Sequence, residues 1–549
     1  MSNRSHCALW CALTVVFISL GPLSAGAENR SFDGTGNNLT NFDWGAAATS
    51  FARVAPAAYV DGVSVPRIAG RPNPQAVSNA LFRQSDSNPS QRGLSGYVYA
   101  FGQFITHDIQ ESISGGTESI EFRIPAGDEI FRPGLLVPLT RSLFDGETGT
   151  TPDNPRQQRN FATSYLDAST VYGSDDLTAS VLRGGPARPG AKLRTSDDIN
   201  GDGENMLPHD AFGPVPEAPY AAGDSRVNDN VVLTSLHTVF MREHNRLVDE
   251  LAAAHPTWTA DELYQRGRKI VGAEIQAITF NEFLPAVLGP YAPGPYAGYD
   301  PTVEAAAINE FAAVFLRTGH SMLTNDFQRV ENNGQPAEAG PLPLVDAFFV
   351  PELIATSHDL DLFLKGLSVE TQEETDLGMT FGVRAALLGA FDIQRARDHG
   401  IADYNSLRVA YGLPRITSFA EITSNEEAQA VLAKVYLDVD SIDPLVGALA
   451  EDLLPGASVG SLVAAGFREQ FARLRAGDRF WYEHDPEFSA EELAMLRATR
   501  LADIIERNTG VTGLAHNVFF AVPEPSAGAM AAILLVSAVM GQWRKLERT

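Results

Sequence analysis

The segment YVYAFGQFITHD, from Tyr97 to Asp108, constrains this chain more than any other. Helical spacing puts Gln103 and His107 on one face of a predicted helix, and Asp108 follows the histidine directly. A neutral imidazole can take a proton from a bound substrate and return it, while a carboxamide four residues earlier can orient that substrate by hydrogen bonding. The alternative is a structural helix whose polar face carries these residues without chemistry, because short motifs also match by chance.

The length and patterning of the chain predict one large, mainly α-helical domain with long loops and little β-structure. Its 549 residues are 44% hydrophobic, which is enough to bury a sizeable core. Amphipathic helical patterns cover 95–109, 230–254, 260–283, 303–317 and 491–508, and strand-like alternation is scarce. We find no internal repeat and no composition break, so a single domain is expected over residues 28–521.

The two ends of the chain resemble targeting segments. Residues 1–27 combine Arg4, an apolar run and a small-residue site, as in a cleaved secretory signal peptide; an uncleaved anchor is the alternative. Cys7 and Cys11 both lie in this leader, so the mature chain would contain no cysteine. Residues 522–549 carry a Pro-Glu-Pro, an apolar run and a basic cluster, which resembles a PEP-CTERM sorting signal of Gram-negative bacteria. A plain C-terminal anchor helix is the alternative.

These ends predict a secreted or cell-surface protein of a Gram-negative bacterium that an exosortase-like enzyme processes and that touches the membrane only through its C-terminal segment. The formal net charge of −27 disfavours nucleic acid as a partner.

Several further motifs follow the first in order along most of the chain: TSYLDASTVYGS (163–174), SRVNDN (225–230), LHTVFMREHNRL (236–247), FLRTGH (315–320) and FDIQRARDHGIADYN (391–405). Together with FGQFITHD they resemble the animal-type haem peroxidase (peroxidase–cyclooxygenase) superfamily, from about Phe32 to Ala521. The resemblance implies a helical haem-peroxidase domain, a haem b cofactor, and hydrogen peroxide and a small electron donor as substrates that react through a ferryl intermediate.

The resemblance also assigns roles to particular residues. Gln103, His107 and Arg226 match the distal set that binds and cleaves peroxide, although Arg226 could instead be a surface arginine paired to Asp224 or Asp229. His320 matches the proximal iron ligand and Arg317 matches the arginine that faces a haem propionate.

Asp392 occupies the position that accepts the second ring proton of the proximal histidine. Mammalian relatives carry Asn there. The carboxylate should therefore push the histidine toward imidazolate and lower the iron reduction potential.

The resemblance further implies a calcium site. Asp108 pairs in the family with a loop matched here by Thr163, Tyr165, Asp167 and Ser169, with Tyr165 contributing its backbone carbonyl. Such hard oxygen ligands suit calcium. A second acidic stretch, from Asp198 to Asn205, begins like an EF-hand loop but has His209 where a bidentate Glu is required, so we interpret it as a solvated turn.

Two departures from the family bear on haem attachment. Many mammalian members bond the haem through esters from an Asp just before the distal histidine and a Glu three residues after the distal arginine. This chain has Thr106 and Asp229 at those positions, so at most one ester, from Asp229, is possible. Asn230 excludes a sulfonium link.

The sequence is less consistent with three other functions. Fatty-acid dioxygenases of the superfamily need a tyrosine three residues before the proximal histidine, and Arg317 stands there. A haem- or calcium-binding matrix or adhesion protein is a second alternative, disfavoured by the intact set of haem-edge residues. A metalloprotease is excluded because His237 and His244 do not have the HExxH spacing, so we expect both to be structural. The sequence leaves the donor open among halide, thiocyanate and phenols.

Overall fold

The structure is a computed structural model that describes residues 28–184, 190–197, 203–209 and 219–521. The predicted leader (1–27), the sorting segment (522–549) and most of the acidic turn from Asp198 lie outside the described residues. Cleavage of the leader and membrane attachment of the C-terminal segment therefore remain predictions.

Helices dominate the described chain, which confirms the predicted mainly α class. Several begin at side-chain caps that the sequence provides, including capping boxes at Thr259/Glu262, Thr356/Asp359 and Ser489/Glu492. The α-helices are α1 (Pro74–Leu81), α2 (Tyr97–Ile109), α3 (Ser169–Tyr172), α4 (Asp176–Leu182), α5 (Val231–Ala254), α6 (Ala260–Ile278), α7 (Leu284–Leu288), α8 (Ser357–Val369), α9 (Phe381–Ala385), α10 (Leu388–Asp398), α11 (Tyr404–Ala410), α12 (Glu426–Val435), α13 (Pro444–Ala450), α14 (Ser461–Ala476), α15 (Ala490–Ala498) and α16 (Leu501–Asn508).

The strands of the described residues form small antiparallel pairs, each with its register fixed by a few residues. Thr49–Ser50 pairs with Arg159–Asn160, Ser114–Ser119 with Thr140–Ser142, Phe122–Arg123 with Leu136–Val137, and Asp326–Phe327 with Leu342–Pro343. They fasten loops to the helical body and build no extended sheet.

The core of the protein lies around α2 and α5. Phe104 of α2 stacks on Phe240 of α5 with ring centroids 4.9 Å apart, and Tyr97 and Phe101 are fully buried. Along α2 the partly accessible positions are Gly102, Gln103 and Thr106, which share one face. The helix therefore buries most of its surface and keeps one polar stripe, including Gln103, facing open space.

Two predicted helices differ from what the structure has. The pattern at 303–317 gives irregular backbone up to Ile308, a π-helical segment at Phe311–Phe315 and a 3₁₀-helix at Leu316–Met322. The pattern at 491–508 divides into α15 and α16, with Thr499 and Arg500 extended between them. In both cases the apolar spacing marks the buried residues, but tertiary packing sets the helix type and its bounds.

No helix within the described ranges is both long and apolar enough to cross a bilayer.

Gly466 of α14 supports the segment that carries His320. A Cβ at this glycine would lie 2.2 Å from ring atoms of the fully buried Phe315. We expect Gly466→Ala to lower the free energy of unfolding by about 1–3 kcal/mol because the phenyl ring cannot retreat in a packed core. Urea unfolding measures it, with Gly294→Ala as the matched control, since a Cβ at Gly294 meets no atom within 4 Å. Equal stability of the two variants would contradict this packing.

Candidate functional site

His107 lies near the C-terminal end of α2 and is 6% exposed. Its Nδ1 is buried, 3.5 Å from Oδ1 of Asp224, and makes no hydrogen bond. Burial, together with the charge of Arg226, holds the pKa of His107 well below its usual value, although Asp224 opposes this shift. The imidazole is therefore neutral at physiological pH and able to accept a proton.

Gln103 lies one turn earlier on the same face. Its Oε1 accepts a hydrogen bond of 2.9 Å from Nδ2 of Asn230. Asn230 also caps α5, because its Oδ1 accepts from the backbone N–H of Leu233. The cap residue thus fixes the Gln103 amide and leaves its Nε2 without a protein partner among the described residues.

Arg226 lies in the 3₁₀-helix Ser225–Asn228 and forms the ion pair with Asp224 that the sequence offered as an alternative. Its Nε and Nη2 donate to the carboxylate at 2.9 and 2.6 Å. The pair is not on the surface, because Nη2 also donates to the carbonyl oxygens of Gln110 (2.8 Å) and His107 (3.4 Å). Arg226 therefore pairs with Asp224 away from the surface, and its role toward peroxide stays a prediction.

Asp224 is 6% exposed and stays ionised. Burial would raise its pKa, but Arg226 and His107 lower it to about 2. The carboxylate faces His107 and anchors Arg226, so it holds the base and the cation in one arrangement.

His320 and Arg317 share the 3₁₀-helix Leu316–Met322. Side chains three residues apart eclipse one another in a 3₁₀-helix, so both reach the same carboxylate. Nδ1 of His320 lies 2.6 Å from Oδ2 of Asp392, and Nε of Arg317 lies 3.8 Å from Oδ1. Asp392 is 4% exposed on α10.

The residues present fit a haem. Nε2 of His320 makes no hydrogen bond within the described chain, and the imidazole is 22% exposed, so this nitrogen is free to bind iron while Asp392 orients the ring. Helix α2, which carries His107, packs against the 3₁₀-helix Leu316–Met322, so the two histidine-bearing segments lie close together.

Asp229 and Thr106 are the two residues that bear on the predicted haem attachment. Burial raises the pKa of Asp229 to about 6, against the opposing charges of Arg226 and Arg317. The hydroxyl of Thr106 donates to the Gly102 carbonyl at 2.6 Å, as in an ordinary helix. Whether Asp229 forms an ester with haem stays a prediction.

The structure brings Asp108 and the 163–169 loop together. The Ser169 hydroxyl donates to the backbone carbonyl of Asp108 at 2.7 Å, and the Asp108 carboxylate accepts from the backbone N–H groups of Ala168 and Thr170. Oδ1 of Asp167 accepts from the Thr163 hydroxyl at 3.0 Å, whereas Oδ2 is buried without a partner.

These residues also fit a calcium ion. Burial and the neighbouring Asp167 raise the pKa of Asp108 to about 8, so two buried carboxylates compete for protons unless a cation lies between them. The described residues contain no cluster of three or more His, Cys, Asp or Glu side chains, so the remaining ligands would be hydroxyl and carbonyl oxygens. The Tyr165 hydroxyl donates to the Trp44 carbonyl at 2.6 Å, which points the phenol elsewhere.

His237 and His244, the two histidines of α5, are both buried. His244 contacts the Tyr172 hydroxyl at 2.9 Å and the Ala191 carbonyl at 3.1 Å, which agrees with its predicted structural role. His237 is 1% exposed and packs edge-on against Phe104.

Sequence reasoning missed three residues of the site. Asp224 entered only as an alternative partner of Arg226, although an acidic residue two positions from an arginine was a usable signal. The sequence identifies Asn230 only as a residue that excludes a sulfonium link to haem. Glu111 carried no signal, because its place beside Ser225 and Arg226 depends on how two distant segments pack.

Comparisons with known proteins identify the family. The family model described as "Animal haem peroxidase" matches residues 29–519 of this chain. The chain belongs to this family. It is 33% identical to mouse peroxidasin homolog over 89% of this chain and 37% of that protein, and 35% identical to dog thyroid peroxidase over 89% and 59%. It is 32% identical to peroxinectin A of Dictyostelium discoideum over 92% and 98%.

Solved structures of known proteins share the fold of this chain. Peroxidase A of Dictyostelium discoideum superposes with a TM-score of 0.81 at 30% identity and covers 90% of this chain and 100% of that one. The fatty acid alpha-dioxygenase of Arabidopsis thaliana, at 19% identity and a TM-score of 0.75 over 90% of this chain and 84% of that one, shares the fold. The chain spans about a third of the length of the peroxidasin relatives it matches.

The buried pair Asp108 and Asp167 predicts how stability depends on pH. In metal-free protein the raised pKa of Asp108 means that, between about pH 4 and pH 8, the unfolded state is ionised while the folded state keeps its proton. The free energy of unfolding should fall as pH rises through that window, by up to about 1.4 kcal/mol per pH unit. Calcium should stabilise the protein more at the upper end.

Urea unfolding with chelator and with calcium measures this effect. Asp108→Asn should flatten the pH slope of the chelated protein and abolish the calcium effect, and the exposed Asp86→Asn should do neither. An identical slope in wild type and Asp108→Asn would contradict the assignment.

Proposed function

We propose that this chain is a secreted haem peroxidase that uses hydrogen peroxide to oxidise small donors. The observation that carries the proposal is that two histidines of the site have different environments. His107 is neutral and lies beside Arg226 and Gln103, and His320 is hydrogen-bonded to Asp392 with its other nitrogen free.

His320 would hold haem b, with Arg317 and Asp229 nearby, and the haem would supply the redox chemistry that passes oxidising equivalents from peroxide to the donor. With haem bound, His107 would take a proton from one oxygen of hydrogen peroxide and return it to the other oxygen, which leaves as water. Gln103 Nε2 donates a hydrogen bond that orients the peroxide, and Arg226 stabilises the negative charge that develops as the oxygen–oxygen bond breaks.

We also propose a calcium site, with ligands from Asp108, Thr163, Tyr165, Asp167 and Ser169. Asp108 adjoins His107, so a cation bound there fixes the end of α2 that carries the base. The oxygen-only ligand set supports a hard cation.

The location of the protein rests on its ends. The leader at 1–27 supports export, and the Pro-Glu-Pro segment at 522–549 supports surface sorting by an exosortase-like enzyme in a Gram-negative bacterium.

Lipid dioxygenation is disfavoured by the charge at position 317. Arg317 faces Asp392 where that reaction requires a phenol, so hydrogen abstraction from a fatty acid has no tyrosyl radical at this place. An additional adhesive role stays compatible with catalysis.

His107→Ala should slow the reaction of the haem-loaded protein with hydrogen peroxide by at least about 100-fold, because the proton acceptor is lost. Stopped-flow absorbance of the Soret band at matched haem content measures the rate. His358→Ala, which changes a 64% exposed histidine side chain, is the control and should react like wild type. An unchanged rate in His107→Ala would remove this residue from the mechanism.

Asp392→Asn should raise the ferric/ferrous potential relative to wild type, because an amide that accepts the same Nδ1–H hydrogen bond confers less imidazolate character than a carboxylate at 2.6 Å. Spectroelectrochemical titration compares the two proteins. A wild-type potential that is no lower than that of the variant would contradict the assigned role of Asp392.

A further inference from the structure

The charges of three carboxylates act on Arg226, whose guanidinium group lies beside His107. The pKa of Arg226, which burial alone would lower, is instead raised by Asp224, Glu111 and Asp229. Asp224 is the salt-bridge partner, at 2.6 Å. The other two lie close enough to act on Arg226 without pairing to it.

Glu111 is held firmly in place at this position. Its backbone N–H donates to Oδ1 of Asn160 at 2.7 Å, and its carbonyl accepts from the N–H of Phe161 at 2.8 Å. The Ser225 hydroxyl lies 3.4 Å from its Oε1, which ties the side chain to the segment of Arg226. The backbone of Glu111 is therefore fixed, and its carboxylate lies next to Ser225.

These residues lie at the accessible side of the site. Ser225 is exposed, and Glu111, Arg226 and Asp229 are partly exposed, whereas His107 and Asp224 are buried. Glu111 and Asp229 are therefore more accessible to an approaching molecule than His107 is.

The charges do not balance there. Asp224 neutralises Arg226, and Arg317 lies 3.8 Å from Asp392, so both guanidinium groups already have a carboxylate partner. Glu111 and Asp229 are left with no cation of their own among these groups. Unpaired carboxylates at the accessible side of the site repel an anion but do not repel a neutral molecule of similar size.

We propose that Glu111 and Asp229 select donors by charge, so that neutral phenols are admitted and small anions such as thiocyanate and bromide are disfavoured. This inference rests on the proposed peroxidase function and specifies the class of donor at the same site.

Equilibrium binding tests the proposal without turnover. Thiocyanate and phenol are titrated separately into the haem-loaded full-length protein at about pH 8, where Asp229, with a pKa of about 6, is ionised. Changes in the Soret band give each Kd. Glu111→Gln keeps the shape of the side chain and its capacity to accept the Ser225 hydrogen bond, and it removes the charge.

We expect Glu111→Gln to lower the Kd for thiocyanate by about three- to tenfold, as for loss of one nearby screened charge, and to change the Kd for phenol less than about twofold. Glu121→Gln is the matched control: Glu121 is exposed and also accepts a serine hydrogen bond, from Ser119 at 3.0 Å. It should leave both constants as in wild type. Asp229→Asn should act in the same direction as Glu111→Gln and serves if the first variant does not fold.

An unchanged thiocyanate Kd in both Glu111→Gln and Asp229→Asn would overturn the proposal, as would an equal fall in Glu121→Gln. The reaction with peroxide is measured on the same samples. Absence of that reaction in wild type refutes the peroxidase function itself, whereas a normal reaction with unchanged anion binding refutes only selection by charge.

Discussion

The contact between Asp108 and the 167–170 loop fixes the geometry of the rest of the site. One side chain and its own carbonyl receive hydrogen bonds from Ala168, Ser169 and Thr170, so the end of α2 is joined to the loop at several points. Thr170 in turn accepts from the backbone N–H of Asp224, which begins the segment that carries Arg226. His107, the 163–170 loop and Arg226 therefore belong to one connected unit.

Two backbone features make this unit possible. Ala168 adopts a left-handed conformation with φ of 63°, an uncommon state for a non-glycine residue that lets successive N–H groups turn toward Asp108. Gly223 lies against the same loop, and a Cβ there would be 2.2 Å from the Ser169 carbonyl oxygen. Any larger residue at position 223 would push the Arg226 segment away from His107.

The two histidines of the site each face a carboxylate, but at different distances and with different consequences. Asp392 lies within hydrogen-bond distance of His320, at 2.6 Å, which orients that ring and strengthens its other nitrogen as a ligand. Asp224 lies 3.5 Å from Nδ1 of His107 and accepts hydrogen bonds from Arg226 instead. His107 thus remains a neutral base. Small differences in placement give one residue type two roles.

The sequence by itself determined the helical class, the family and most of the chemical groups, because FGQFITHD, SRVNDN and FLRTGH hold their residues at spacings that short-range backbone geometry fixes. Gln103 and His107 share a face in any helix. The tertiary structure decided what spacing cannot encode. The Arg317–His320 pair aligns because Leu316–Met322 is a 3₁₀-helix, most of which lies beyond the predicted helical pattern of 303–317. Likewise, Asp224, Asn230 and Glu111 reach the site through contacts between segments more than 100 residues apart, which no local pattern specifies.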